Sequence, residues 1–323
     1  MRLTFEKNSK KSVIDKIGFG CWGLGGDAYG SIEEKDAIEL VQYAYANGIR
    51  TYDTSPLYGD GASEIILGSA LKTFKRESFK IITKGGLFKV KGEEIRDYTP
   101  RRMKDSIHQS LDRLETEYID YFLIHSPSFE EFEKNYGSTF GIHEELTEET
   151  IRNLGISLKA PRDFEFAKKL HKLSAIEFNL SLMDQRAHNS FGNLEDFSIF
   201  RIARTPFNFG FLTDSPPDTT PPSDSKSHLS AWSQEQFNLW HEFRLHWKKI
   251  ADQNEITLNE FALLYCISHE SVDLVIPGFM KKEEIDSAVN INRRGLLSKD
   301  SMLEIYEIYT RVESKFSILN RSK

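Results

Sequence analysis

The stretch Thr51–Gly68, TYDTSPLYGDGASEIILG, decides how this sequence reads. An apolar run ends in Asp53 and breaks into a Pro/Gly-rich turn carrying Tyr58, and a helical pattern follows at Ala62. Burial in an apolar core explains neither the carboxylate nor the phenol. Two polar groups facing a reaction site explain both. The same grammar extends outward in both directions. Short apolar runs near residues 17–22, 50–53, 79–84, 119–125, 152–157, 174–179, 199–204 and 272–276 read as strands. Helical patterns lie between them near 33–47, 62–74, 100–115, 162–171, 233–253 and 280–289. A further helix at 257–268 precedes the last strand, and another near 298–315 follows. Apolar strands separated by helices argue for parallel pairing buried on both faces. The expected fold is therefore an α/β, TIM-type (β/α)8 barrel with additional C-terminal helices, forming one domain over residues 1–323.

Two segments fit this pattern poorly: 126–150 has a weak helical period, and 186–198 reads more as a loop than a helix. The Pro/Ser/Asp/Thr-rich stretch 213–228 reads as a surface loop, because strand–helix alternation resumes after it.

Composition narrows the function classes. The net charge is −7 and no basic block exceeds short pairs such as Arg101-Arg102 and Lys281-Lys282, which argues against nucleic acid as a partner. Two cysteines, Cys21 and Cys266, make no disulfide framework. The first residues, MRLTFEKNSKKSVIDK, lack the apolar core of a signal peptide, and no window is long and apolar enough to span a membrane. The expectation is a soluble, cytoplasmic protein without a membrane partner, its oligomeric state open.

In a barrel the reaction site lies at the C-terminal strand ends. The expected strands finish in Asp53, Lys84, His125, Ser157, Asn179 and Arg204. One strand-end Asp or Ser would be a helix cap, and Lys84 alone a solvated side chain. Six polar ends together make a shared pocket the simpler account. Four of them carry a definite chemistry. A Tyr hydroxyl, with a pKa near ~10, is a weak proton donor at neutral pH, and a nearby ammonium lowers that pKa. A carboxylate holds the ammonium, and a His orients a carbonyl oxygen or relays the proton. Asp53, Tyr58, Lys84 and His125 supply this set.

These residues resemble the aldo-keto reductase family. The likeness rests on Asp53-Thr54, Tyr58-Gly59, Ser63-Glu64 and Leu67-Gly68, then ITKGG (82–86) and LIHSP (123–127). GFGCWGLGG (18–26), GIS (155–157), RTPFNFGFLT (204–213) and VIPGF (275–279) continue it in family order, over roughly residues 15–290. The resemblance implies a monomeric or weakly associated barrel that reduces a small-molecule carbonyl with a nicotinamide cofactor, Tyr58 being the proton donor. It implies that Ser157 bonds the nicotinamide carboxamide, with Asn179 a further candidate. Arg204 falls where many members stack an aromatic on the nicotinamide, and a guanidinium plane can also stack. Thr205, Pro206, Phe207, Gly210 and Leu212 fall in the segment that wraps the pyrophosphate. Lys281 and Lys282 are the basic residues nearest the position that meets a 2′-phosphate, which favours NADP(H) and keeps NAD(H) as the alternative. Leu158, Ala175, Asp214 and Glu284 stand where the family often has Asn, Gln, Gly, and Gln or Arg. Trp22 and Phe88 are the expected substrate-binding aromatics.

Other signals are set aside. GFGCWG (18–23) matches G-x-G-x-x-G, but Gly25, Gly26 and Gly30 delay any helix to about Ile32, against a Rossmann fingerprint. The histidines of HEFRLH (241–246) are five apart, which places them on different sides of a helix, so no metal site is expected. Cys21 reads as a small buried residue rather than a thiolate. Trp232, Phe237, Trp240, Phe243 and Trp247 read as packing, with Trp232 the one that could reach the substrate mouth. Two rivals stay open: a nicotinamide-binding sensor on the same barrel, and an elimination or isomerisation enzyme with bound cofactor.

Overall fold

A computed structural model describes residues 1–6, 13–26, 28–90, 92–131, 133–134, 150–159, 163, 173–187, 199–223, 227–291 and 294–312. Eight parallel strands make the barrel: β1 (Phe19–Gly20), β2 (Thr51–Asp53), β3 (Lys80–Gly85), β4 (Tyr121–His125), β5 (Leu154–Ser157), β6 (Ala175–Asn179), β7 (Phe200–Arg204) and β8 (Leu274–Ile276). Each pairs with its neighbour in chain order, and bridges Ile17–Val275 and Gly20–Gly278 join the first strand to the last.

Around it lie α1 (Glu34–Ala46), α2 (Ala62–Leu71), α3 (Pro100–Leu114), α4 (Gln234–Gln253) and α5 (Leu258–Ser268), then α6 (Lys282–Asn290) and α7 (Lys299–Thr310). Local chemistry sets their ends. Pro100 opens α3, where its missing N–H costs nothing. Thr257 and Glu260 form a capping box on α5. The expected helix at 162–171 and most of the weakly patterned 126–150 and 186–198 segments fall outside the described residues. No helix among the described residues is long and apolar enough to cross a membrane.

Two features differ from the sequence expectation. The first strand is shorter than 17–22, because Cys21–Gly25 coils into a 3-10 turn. A hairpin, Leu87–Val90 with Glu93–Arg96, follows β3, turning at Gly92 where φ is +86°.

Strand alternation explains how the barrel positions its site. Ile82, Leu123, Ala175, Ile202, Leu274 and Ile276 form a small inner cluster, distinct from the large core between strands and helices. Two residues further along, period-two alternation puts Lys84, His125, Glu177 and Arg204 on the same inward face. The interior is thus an apolar plug capped by a charged layer.

Candidate active site

Lys84 is fully buried at the centre of that layer. Its ammonium donates to both Asp53 oxygens, at 2.7 and 2.6 Å, and to the Thr54 carbonyl at 3.1 Å. Tyr58 OH lies 3.5 Å from the same Nζ. The Tyr58 turn is pinned by Gly59 against Gly25: a Cβ on Gly59 would lie 2.4 Å from the Gly25 carbonyl oxygen, and φ there is +59°. The His125 ring stands 6.3 Å from the Tyr58 ring at 88°. Thus the four residues singled out by strand ends and spacing meet at one place.

A serine hydroxyl faces one ring nitrogen of His125. Ser55 Oγ accepts from the Leu57 amide at 3.1 Å and lies 3.1 Å from His125 Nδ1. With the hydroxyl donating to Nδ1, a neutral ring would carry its own proton on Nε2. Burial, then the charges of Lys84 and Arg204, hold the His125 pKa well below its ordinary 6.5, so the ring is neutral at pH 7.

Sequence reasoning missed Glu177. It is buried on β6, accepts from Ser157 Oγ at 2.9 Å, and lies 3.3 Å from Lys84 Nζ and 3.4 Å from Arg204 Nε. Lys84 therefore sits between two carboxylates rather than one. Burial opposes both negative charges. Glu177 keeps its own, because Lys84 and Arg204 lower its pKa, whereas burial and then the Glu177 charge push Asp53 upward against Lys84. Burial also works against the Lys84 charge, and Asp53 and Glu177 more than restore it. For Tyr58 the expectation is corrected. Lys84 does lower its pKa, but burial outweighs it and the phenol stays above its ordinary value of 10.0. The hydroxyl therefore keeps its proton at neutral pH. Cys21 is no thiolate, since burial and then Asp53 raise its thiol well above the ordinary value.

The tetrad opens into a cleft of about 910 Å³ lined by Trp22, Tyr29, Asp53, Tyr58, His125, Glu177, Arg204, Thr205, Pro206, Phe207 and Phe209, among others. Trp22 meets Tyr29 edge to face and His228 at a tilt, and Tyr29 is a cleft-lining aromatic the sequence reading did not name. Phe88 lies on the hairpin under the Arg102 guanidinium, 3.6 Å away, and does not line the cleft. Trp232 packs on Trp240 and Phe209 instead of the mouth. Ser157 sits behind Glu177, and Asn179 accepts from the Thr205 hydroxyl at 2.8 Å. Arg204 is steadied by donating to the Leu158 carbonyl at 3.0 Å. After β7 the chain takes left-handed conformations at Thr205, Asn208 and Phe209, a curled backbone on which polar ligand groups can dock.

A second cavity, about 1420 Å³, shares Tyr29, Phe207 and Gly278 with the first and runs on to α6. Gly210 and Lys281 line it, while Leu212 is fully buried. Lys282 turns away, its Nζ 3.7 Å from Glu39 and 5.5 Å over the Tyr43 ring.

These residues fit a nicotinamide group at the tetrad end. Glu177 Oε2 and Arg204 Nε are buried there without a hydrogen-bond partner among the described residues. Both are held by ion pairs, Glu177 Oε2 with Lys84 and Arg204 Nε with Glu177, and buried groups with hydrogen-bonding capacity to spare suit a polar ligand.

Known proteins share the family and the fold. A model of the aldo/keto reductase family matches residues 16–310. An uncharacterized oxidoreductase, YqkF of Bacillus subtilis (strain 168), is 30% identical over 275 residues, covering 84% of this chain and 85% of that protein. The NADH-specific methylglyoxal reductase of Escherichia coli (strain K12) is 24% identical, over 87% and 91% of the two chains. Among solved structures, the holo form of aldo-keto reductase AKR11C1 from Bacillus halodurans superposes with a TM-score of 0.75 at 24% identity, covering 95% of this chain and 96% of that one. A match over nearly the whole chain, on a barrel whose mouth holds Asp53, Tyr58, Lys84 and His125, makes this chain an oxidoreductase of the aldo-keto reductase family.

Proposed function

We propose that the protein reduces an aldehyde or ketone to the alcohol, with Tyr58 as proton donor. The observation that carries this reading is the contact of the Tyr58 hydroxyl with the Lys84 ammonium, beside a neutral His125, in a cleft open to solvent. A nicotinamide cofactor, when bound, supplies the hydride. The chain's own residues do the rest. Nε2–H of His125 donates to the carbonyl oxygen and orients it. As that oxygen gains negative charge, Tyr58 passes it a proton. Lys84, 3.5 Å away, stabilises the phenolate left behind. Asp53 and Glu177 keep Lys84 charged and fix its position.

Arg204 and Glu177, the latter braced from behind by Ser157, form the polar wall that would hold the carboxamide. The curled Thr205–Gly210 backbone follows toward the second cavity. Substrate class follows from the mouth, where Trp22, Tyr29 and Phe209 present flat apolar faces. These suit a small aldehyde or a sugar-derived carbonyl. The relative named for methylglyoxal is consistent with the first of these.

The test is to titrate the purified protein with each reduced nicotinamide cofactor by fluorescence, then add a panel of aldehydes and ketones. Cofactor oxidation on adding a carbonyl supports the reading. Binding without oxidation by any carbonyl would leave the sensor or redox-neutral alternatives. No binding at all would remove the reductase.

A further inference from the structure

We infer that the cleft selects NADH over NADPH, because Glu284 closes the start of α6 to a 2′-phosphate and offers a carboxylate to a free ribose 2′-hydroxyl. This rests on the reductase reading above and goes beyond it.

The cleft that begins at the tetrad continues, past Tyr29, Phe207 and Gly278, into the cavity beside α6. A dinucleotide whose nicotinamide reaches Tyr58 would extend its adenosine half into that cavity. A 2′-phosphate needs cations and free backbone N–H groups there, and a helix N-terminus is the usual source of the latter. Here the two amides just ahead of the first helical turn are already engaged. The Glu284 carboxylate accepts from the Met280 amide at 2.7 Å and from the Lys281 amide at 3.2 Å. The chain's own carboxylate thus stands at the helix start, where it competes with any incoming anion.

The side-chain charges point the same way. Lys281, Glu283, Glu284 and Asp214 face the cavity. Asp214 is paired with Lys248 at 3.7 Å. The nearby Arg244 is engaged with the Thr213 carbonyl at 3.0 Å. Lys282, the second cation expected from the sequence, is on the far side with Glu39. Among the described residues, one lysine stands against Glu283 and Glu284, neither of them in an ion pair, which makes a net negative wall that repels a phosphate dianion. A ribose hydroxyl meets no such penalty and can donate to a carboxylate, the way NAD-binding sites hold this group.

The experiment uses the full chain. NADH and NADPH are titrated separately by fluorescence, at low and high salt, into the wild type and Glu284→Gln. Gln keeps an oxygen to accept the two amides, so α6 keeps its start. The wild type is expected to bind NADH at least about tenfold more tightly than NADPH. Added salt should narrow the gap by screening the repulsion. Glu284→Gln should narrow it further, mainly by improving NADPH. Equal or tighter NADPH binding by the wild type overturns the inference and leaves the reductase standing. An unchanged ratio in Glu284→Gln also overturns it. Binding of neither nucleotide sinks both this inference and the reading it rests on.

Discussion

Asp53 and Glu64 come from the same quoted stretch, and both are buried carboxylates with a cationic partner. Their surroundings differ in one respect. Glu64 accepts from the Thr83 hydroxyl at 2.6 Å and from Arg113 Nε at 2.6 Å, in the wall between α2, β3 and α3. Each of its oxygens has a donor. Asp53 shares its cation with Glu177 and Tyr58, next to a cleft, and Glu177 Oε2 there has an ion pair with Lys84 but no hydrogen bond among the described residues. A satisfied pair holds the fold together. A cluster left incomplete at the edge of a cavity is available for chemistry.

The sharpest way to separate the two regions is to remove one group from each. Tyr58→Phe should lower kcat by about 10³-fold, the size of a lost general acid, with cofactor affinity nearly unchanged. Steady-state kinetics beside a binding titration would show this, and comparable turnover would take Tyr58 out of its role. Glu64→Ala should do the reverse. It strands Arg113 and Thr83, and we expect a loss of about 3 kcal/mol in unfolding free energy, as for a broken buried ion pair. Urea unfolding measures that loss, while kcat of the folded fraction should stay near wild type.

Glu177→Gln probes the boundary between the regions. Glu177 raises the Tyr58 pKa, so its neutral replacement should move the alkaline limb of the kcat profile to lower pH. A purely structural Glu177 would leave the limb where it is and change only stability.

The smallest effect concerns His125. Its pKa in the folded protein is depressed below the ordinary 6.5 of an unfolded chain, by burial and then by Lys84 and Arg204. The unfolded state therefore takes up a proton at a pH where the folded state does not. The stability associated with the neutral ring is present above about pH 6.5 and is lost progressively as pH falls below it. His125→Asn should flatten that part of the stability curve between pH 7 and 5, read by thermal unfolding at each pH.

Much of this was legible in the sequence, for reasons that can be stated residue by residue. The apolar runs before Asp53, Lys84 and His125 mark buried parallel strands, and each strand's polar end marks the mouth. Glu177 was not legible. Reading the last residue of its strand picks Asn179, and a Glu inside AIEFN looks like one step of ordinary alternation. Only the register, Ser157 opposite Glu177 and Glu177 opposite Ile202, puts that carboxylate in the layer of Lys84 and Arg204. The Leu87–Arg96 hairpin escaped because its strands are only four residues long, the second, EEIR, is mostly charged, and the two rest on one glycine turn.

The amino-acid pattern by itself determined the strand–helix alternation, the barrel it implies, and the identity of Asp53, Tyr58, Lys84 and His125, since period and strand ends are local properties of the chain. Tertiary structure alone decided that Lys84 has two carboxylates, that Phe88 lies apart from the cleft, and which lysine of Lys281-Lys282 faces the second cavity. Successive residues at a helix start point about 100° apart, so neighbours in sequence serve different surfaces. Which surface each one meets depends on what the rest of the barrel packs beside it, here Glu39 and Tyr43 for Lys282 and the open cavity for Lys281.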